Sequence, residues 1–365
     1  MFLEAETSFG VGVLQQLPLN ESFVFSPLSI ALALSLVHIG AKGGTKTEIG
    51  NAICKGANDD QLRQHYSFFT SAFANPAKGV EINLANKAFI NKKYPLKKSY
   101  LTDIANTYKA SAENVDFSDQ TKAAAVINGF VKEHTKGRIN EIIEKSKILP
   151  DSMAFLINAL YLNVKWVDPF FPQNTVQADF FARNGQDRKI SFLTTATVFR
   201  DYGSSEEVQI LALNYTNPEY RFIVMLPKQA VSLQKFIQGL SGGKFQSLLK
   251  TLKGTNVQIK IPKMKVETSS EMKKILTSIG IKSAFEDGAD FSPMSDVPLK
   301  VSEVTHKAVI DVNEAGTTAS AATVVEMLPG SAGGFFPDPI EFTADHPFLY
   351  AITFNNHPLF MGAFV

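Results

Sequence analysis

The chain has 365 residues, 45% hydrophobic and 19% charged, with 29 Phe, so it can bury a large core and is not intrinsically disordered. A formal net charge of +1 supplies no general field for nucleic acid or an anionic membrane, and no apolar run reaches the ~18 residues of a spanning helix. A single cysteine, Cys54, excludes an internal disulfide and fits a reducing compartment, so a cytoplasmic location is expected.

The chain opens Met1-Phe2-Leu3-Glu4-Ala5-Glu6, with two acids and no base ahead of its apolar stretch, unlike a signal peptide. The sequons Asn20-Glu21-Ser22 and Asn214-Tyr215-Thr216 matter only in a secreted protein and are read as chance occurrences. Export by an unconventional route, or a leader preceding this sequence, is the alternative.

Ser26-Pro27 followed by LSIALALSLVHIG predicts a buried helix: a capping hydroxyl, proline at the first helical position and Gly40 at the end. GAKGGTKT, residues 40–47, approaches the phosphate-binding pattern G-x-x-x-x-G-K-[ST]. Thr45 stands where the second glycine is needed and a helix precedes the segment, so no nucleotide site is expected. Lys92, Lys93, Lys97 and Lys98 flank Tyr94-Pro95 and are read as a solvated face rather than a polyanion site. A second helix is expected over Thr121 to Lys136, with Val126, Ile127, Phe130 and Val131 on one side and Gly137 after it.

Strand patterns dominate the second half. YRFIVMLP is a short apolar run closed by proline. VQIKIPKMKV alternates Val257, Ile259 and Ile261 against Gln258 and Lys260, then slips phase at Pro262, where a bulge or edge is expected. Ser270 to Ile279 reads as a helix, with Met272, Ile275, Leu276 and Ile279 at helical spacing and Gly280 as its stop. From Val304 to Val312 the even positions (Val304, His306, Ala308, Ile310, Val312) form the inward face of a half-buried strand expected to run straight into the stretch that begins at Glu314. With no βαβ alternation, no linker and no repeat, the expectation is a single α+β domain over residues 1–365 with antiparallel or mixed sheets.

Catalytic signals are weak. The six histidines never fall at metal-ligand spacing and no cysteine pair accompanies them, so neither a metal nor another cofactor is expected. His306 points inward and must find hydrogen-bond partners; a satisfied core histidine is favoured over a catalytic base. PGSAG, residues 329–333, resembles a nucleophile elbow lacking its first glycine, and Ser331 is read as a loop residue. The protein is not expected to be an enzyme.

The stretch EAGTTASAATVV, residues 314–325, differs from everything around it. Read with period two, it places Thr317, Ala319, Ala321, Thr323 and Val325 on one face, which is small and uncharged throughout. Such a face could enter an existing sheet without clashing. MLPGSAGGFFPDP beyond it has the composition of an exposed loop. A flexible linker is the alternative, opposed by β-branched Val324 and Val325 and by the absence of Gly between Thr317 and Glu326.

Several separated motifs resemble the serpin family: FSPLSIALAL at Phe25, INGFVKEHTKGRINEII at Ile127, LINALYLNVKW at Leu156, VTHKAVIDVNEAGTTASAAT at Val304 and HPFLYAITFNNHPLFMGAF at His346. The resemblance covers nearly the whole chain. It implies three β-sheets, about nine helices and an exposed, metastable reactive-centre loop over about residues 314–341. It also implies irreversible suicide-substrate inhibition of a serine protease: the loop is cleaved, a covalent acyl complex forms, and the cut loop inserts as a strand into the central sheet. The partner is then the target protease, with no nucleic acid or membrane, and the inhibitor is expected to be a monomer.

By the same resemblance Glu314, Ala315, Gly316, Thr317, Thr318, Ala319, Ser320, Ala321 and Ala322 form the hinge. Ser26, Ser29, Asn158 and His306 match the cluster governing sheet opening, and Trp166 the position where insertion starts. The scissile bond of inhibitory members lies about sixteen residues after the hinge glutamate, at ~3.3 Å per residue the span of the sheet, which gives Gly330-Ser331. Met327, Leu328, Phe335 and Phe336 are alternatives, because the loop is longer than usual. No Arg or Lys lies between Thr317 and Pro347, so chymotrypsin-, elastase- or subtilisin-like targets are favoured over trypsin-like ones. Cross-class inhibition of papain-like cysteine proteases, and a non-inhibitory binding or storage role, are the other readings.

Overall fold

The computed structural model describes residues 1–182, 187–317 and 338–365. Its α-helices among these are Phe2–Leu14 (α1), Pro27–Ile39 (α2), Gly43–Cys54 (α3), Asp59–Ala74 (α4), Lys98–Tyr108 (α5), Gln120–His134 (α6), Leu233–Gln238 (α7), Gly242–Leu249 (α8) and Lys273–Ser278 (α9). The strands are Phe23–Phe25 (β1), Val80–Asn91 (β2), Ser111–Val115 (β3), Ala154–Lys165 (β4), Val176–Phe180 (β5), Arg188–Ser204 (β6), Val208–Asn214 (β7) and Tyr220–Pro227 (β8). They continue as Lys253–Pro262 (β9), Met264–Glu271 (β10), Glu303–Asn313 (β11), Gly316–Thr317 (β12), Ile340–Thr343 (β13), Phe348–Phe354 (β14) and His357–Phe364 (β15).

Strand pairing yields two sheets among the described residues, where the resemblance implies three. The larger runs β1-β15-β14-β8-β7-β6-β9-β13, with β5 on β6; the smaller runs β10-β11-β12-β4-β2-β3. The length of β6 explains the count. Its 17 residues pair with β5 at the start (Arg188 to Phe192), with β9 from Phe192 to Tyr202 and with β7 at the end (Asp201 to Ser204), so one hydrogen-bonded path joins two groups of strands. Both sheets are mixed, as the absence of βαβ alternation allows: β4 runs parallel to β11, and β13 parallel to β9.

The smaller sheet is covered on both faces, which is why LINALYLNV shows no polar alternation. Leu156, Leu160, Leu162 and Val164 of β4 belong to the main core, while Phe155, Ile157 and Ala159 pack into a second core with Ile127 and Val131 of α6. Helix α2 lies against β2 and β4 and is buried along its whole length, as a helix apolar all round must be. Its start follows the sequence: the Ser26 hydroxyl accepts from the Ser29 N–H, and Pro27 needs no partner for a missing N–H. Helix α6 runs from Gln120 to His134, within two residues of the expected Thr121–Lys136, with Asp119 as its cap and Gly137 at φ +75° beyond it.

Two expectations change and one narrows. At Pro262 the chain makes no bulge: the residue pairs on one side only, with Phe192 of β6, as an edge position does, and there β9 ends in the larger sheet and β10 begins in the smaller, so the phase slip marks a change of sheet. The helix expected over Ser270–Ile279 is only Lys273–Ser278, because Ser270 and Glu271 pair with His306 and Thr305 of β11, and cross-strand pairing overrides local periodicity. The strand over Val304–Val312 does not run straight into the small-residue stretch: the chain turns at Glu314-Ala315, and β12 returns antiparallel to β11.

Candidate functional site

The segment expected to be the hinge begins as a wedge. From Glu303/Phe155 to Val309/Tyr161, β11 and β4 form a parallel ladder of seven paired positions. Beyond it they part, and β12 fills the space, with Thr317 opposite Val164 and Val312, and Gly316 opposite Lys165 and Asn313. The approach at Gly316 is close enough to exclude any side chain: a Cβ there would lie 2.3 Å from the Val164 carbonyl oxygen and 2.7 Å from Lys165 Cα. This glycine is required by contact with the neighbouring backbone.

Trp166 anchors the turn that makes the wedge. Its backbone N–H donates to the Ala315 carbonyl at 3.0 Å, and its indole N–H to the Asn313 carbonyl at 2.9 Å. Its ring stacks on Tyr215, centroids 4.5 Å apart and planes 7° from parallel. Tyr215 in turn shares a 2.5 Å hydrogen bond with Thr317 Oγ1, and both residues are buried. Glu314 is held from the other side, accepting from Thr175 Oγ1 at 2.8 Å and pairing with Lys263 at 2.9 Å. Partial burial pushes the Glu314 carboxyl up, but the Lys263 ammonium and the Thr175 hydroxyl outweigh it and hold it below the usual range.

Below the wedge, inside the closed ladder, His306 of β11 stands opposite Asn158 of β4. The Ser26 N–H donates to His306 Nε2 at 3.0 Å, which fixes the tautomer: Nδ1 carries the proton and donates to Asn158 Oδ1 at 2.6 Å. Ser29 Oγ also donates to Asn158 Oδ1, at 2.7 Å, while Asn158 Nδ2 donates to the Ser29 carbonyl at 2.9 Å. Ser26, Ser29, Asn158 and His306 are all buried. The network ties the two strands to the start of α2. Burial pushes the His306 ring down to about 3, so it is neutral at physiological pH, as the accepted N–H at Nε2 requires.

The structure thus brings together Ser26, Ser29, Asn158 and His306 as one cluster, and Glu314, Ala315, Gly316, Thr317 and Trp166 as another. Thr318, Ala319, Ser320, Ala321, Ala322, Met327, Leu328, Gly330, Ser331, Phe335 and Phe336 lie outside the described residues. Sequence reasoning missed Tyr215, Lys263 and Thr175, whose contacts to the hinge span 51 to 139 residues and leave no local signal. The lysines around Tyr94-Pro95 behave as a solvated face in part: Lys92 pairs with Asp116 and Lys97 with Asp296.

Gly316 and Thr317 folded back between the parallel strands β4 and β11 of a mixed sheet, over a Ser–Asn–His network reaching a buried helix, place the molecule in the serpin class of proteins. The chain belongs to the serpin family, whose model, Serpin (serine protease inhibitor), matches residues 4–365. It is 32% identical to Iripin-2 of Ixodes ricinus over 360 residues, covering 96% of this chain and 89% of that protein. To Serpin B6 of Macaca fascicularis it is also 32% identical, covering 99% and 98%. Among solved structures, the thermophilic serpin Tengpin in its native state matches with TM-score 0.91 at 29% identity, covering 100% of this chain and 93% of that one. Serpins are generally protease inhibitors rather than catalysts. Among the described residues, no helix is long and apolar enough to cross a membrane.

Proposed function

We propose that this serpin, a single domain over residues 1–365, is an irreversible suicide-substrate inhibitor of serine proteases. The protease's serine oxygen attacks the carbonyl of the scissile residue, that peptide bond breaks, and the new amino terminus departs with the carboxy-terminal fragment while an ester holds the enzyme. The severed strand then inserts between β4 and β11 and carries the enzyme with it. Insertion must outrun deacylation, because a slow strand releases an active protease and a spent inhibitor.

The observation that carries this reading is the wedge. Gly316 and Thr317 already pair with both β4 and β11, antiparallel to each, in the orientation a longer inserted strand would take. Thr317 is buried, which matches the inward face read from the sequence, and the period-two reading of the sequence assigns Ala319 and Ala321 to the same face. Each residue added gains ladder hydrogen bonds on both sides in exchange for one parallel pairing.

Gly330-Ser331 is the proposed scissile bond, with Met327, Leu328, Phe335 and Phe336 as alternatives, and the absence of Arg and Lys from Thr318 to His346 favours chymotrypsin-, elastase- or subtilisin-like targets. The free, buried Cys54 supports action in the cytoplasm, and the inhibitor is proposed to act as a monomer. The test is incubation with chymotrypsin, elastase, subtilisin, trypsin and cathepsin L, followed by denaturing gels and sequencing of the released fragment. A denaturation-resistant complex with a serine protease is expected. Complexes confined to cathepsin L would make the protein a cysteine-protease inhibitor. Cleavage by every enzyme with no complex and no gain in melting temperature would assign a non-inhibitory role.

A further inference from the structure

Three metal-ligating side chains that the sequence scatters are gathered at one point on the molecule. Glu6 of α1 is 59 residues from His65 of α4 and 351 from His357 at the start of β15. Their ligand atoms all lie within 4.8 Å of one another. His65 Nε2 is 2.7 Å from Glu6 Oε1, and His357 Nδ1 hydrogen-bonds the other carboxylate oxygen, Oε2. Spacing along the chain, on which no metal was expected, has no bearing on this group because each ligand comes from a different element.

The surroundings are those of a built site. The Glu6 side chain is 1% exposed, while those of His65 and His357 are 15% and 17% exposed, which leaves a path for an ion and a water molecule. Aromatic rings fix both imidazoles: Phe2 stacks on His65 at 3.8 Å and 13°, and Phe69 meets His65 edge-on at 5.0 Å and His357 at 5.2 Å. A dry wall of this kind restricts ring rotation and raises the cost of leaving the carboxylate without a cation.

We propose that Glu6, His65 and His357 form a binding site for a divalent ion of the zinc type. Two imidazole nitrogens and one carboxylate oxygen suit zinc or cobalt(II), whereas magnesium and calcium prefer oxygen sets. Three ligands and a water complete a tetrahedron, whose ligand atoms stand ~3.3 Å apart at ordinary zinc distances. The present spacing of 2.7 Å between His65 and Glu6 opens toward that value by a turn of the Glu6 carboxyl about its terminal torsion, which is broad. On binding, each ring presents a lone pair at the nitrogen now facing Glu6: a neutral ring moves that proton to its other nitrogen, and a charged ring releases it to solvent. The bound ion ties α1 and α4 to the β14–β15 hairpin and stabilises the folded state by mass action.

The test is titration of tag-free, chelator-treated protein with ZnCl2 and with CoCl2, followed by calorimetry, cobalt(II) visible absorption and melting temperature, with MgCl2 as control. One zinc per chain, a tetrahedral cobalt spectrum and a melting temperature raised by zinc but not by magnesium are expected. His65→Asn and His357→Asn, singly and together, should abolish all three; the asparagine amide can still donate to Glu6, and circular dichroism of the metal-free variants checks that they remain folded. Failure of the wild type to bind, or binding that persists in the double variant through other histidines, overturns the proposal.

Discussion

Asn158 and His306 face each other across the parallel ladder of β4 and β11 and share a 2.6 Å hydrogen bond at the position where the sheet would have to part. The bond joins strands 148 residues apart, and the rest of the network carries it to the first turn of α2.

Replacing Asn158 by Ala should therefore loosen the native form. The His306 Nδ1–H, the Ser29 hydroxyl and the Ser29 carbonyl all lose their partner. Buried groups left unsatisfied cost about 2–4 kcal/mol in total. Urea unfolding should show that loss, and the variant should polymerise or insert its own loop faster on warming. A midpoint equal to wild type would remove the network from the list of native restraints.

His306 also makes stability depend on pH. The folded ring titrates near about 3 because it is buried, whereas the unfolded ring titrates near ~6.5. Between those values the unfolded chain binds a proton that the folded one does not. Stability from this group is whole above ~6.5 and falls as pH drops toward 3, by up to ~1.4 kcal/mol per unit. His38, pushed down to about 4 by burial and then by Lys46, adds an effect of the same sign. Unfolding midpoints measured from neutral pH to about pH 5 should decline, and His306→Phe should reduce the slope by close to one proton. An unchanged slope would assign the dependence to other groups.

Gly316→Val should expel the wedge. The new Cβ would meet the Val164 carbonyl oxygen at 2.3 Å, and backbone cannot yield as a flexible side chain does. A loss of about 1–3 kcal/mol is expected. With its first inserted residues displaced, the cut loop should enter late. On denaturing gels the complex band should shrink and the cleaved-inhibitor band grow; an unaltered ratio would place the rate-limiting step further along the strand.

Ala319→Arg tests the inward face. Thr317 is buried against Tyr215, and a residue two further on points the same way in a continuing strand. A guanidinium forced beneath the sheet would be desolvated without a partner. The variant should behave as a substrate, with native stability preserved. Thr318→Arg, on the opposite face, should inhibit nearly as well as wild type. Equal behaviour of the two would contradict the strand reading.

Trp166 offers a spectroscopic readout. It is the only tryptophan, stacked on Tyr215 and bonded through its indole N–H to the Asn313 carbonyl. Loop entry should change its emission with a rate equal to that of insertion. Tyr215→Phe, which removes the bond to Thr317, should cost about 1 kcal/mol and speed that change. A fluorescence signal unaffected by cleavage would mean that the wedge does not move.

Local sequence patterns located the elements whose cause is local. The Ser26-Pro27 cap, the helix ending before Gly137 and the inward phase of Val304–Val312 depend on residues within one turn or one pleat, so capping groups and hydrophobic periodicity suffice to place them. The motif resemblance went further and picked out Ser26, Ser29, Asn158 and His306, which hydrogen-bond to one another, and Trp166, which lies apart from them against Asn313 and Ala315. It could not yield Tyr215, Lys263 or Thr175 around the hinge, nor the convergence of Glu6, His65 and His357.

The sequence alone determined that this chain buries a large core, where its capped helices begin, which side of β11 turns inward, and that the stretch after Glu314 is small enough to enter a sheet. Tertiary structure decided the rest: that Gly316 and Thr317 already stand between β4 and β11, that Pro262 marks a change of sheets, and which distant side chains hold the hinge. The physical reason is range. Caps and periodicity act over a few residues, whereas hydrogen bonds across a sheet or between helices depend on how the chain closes over hundreds.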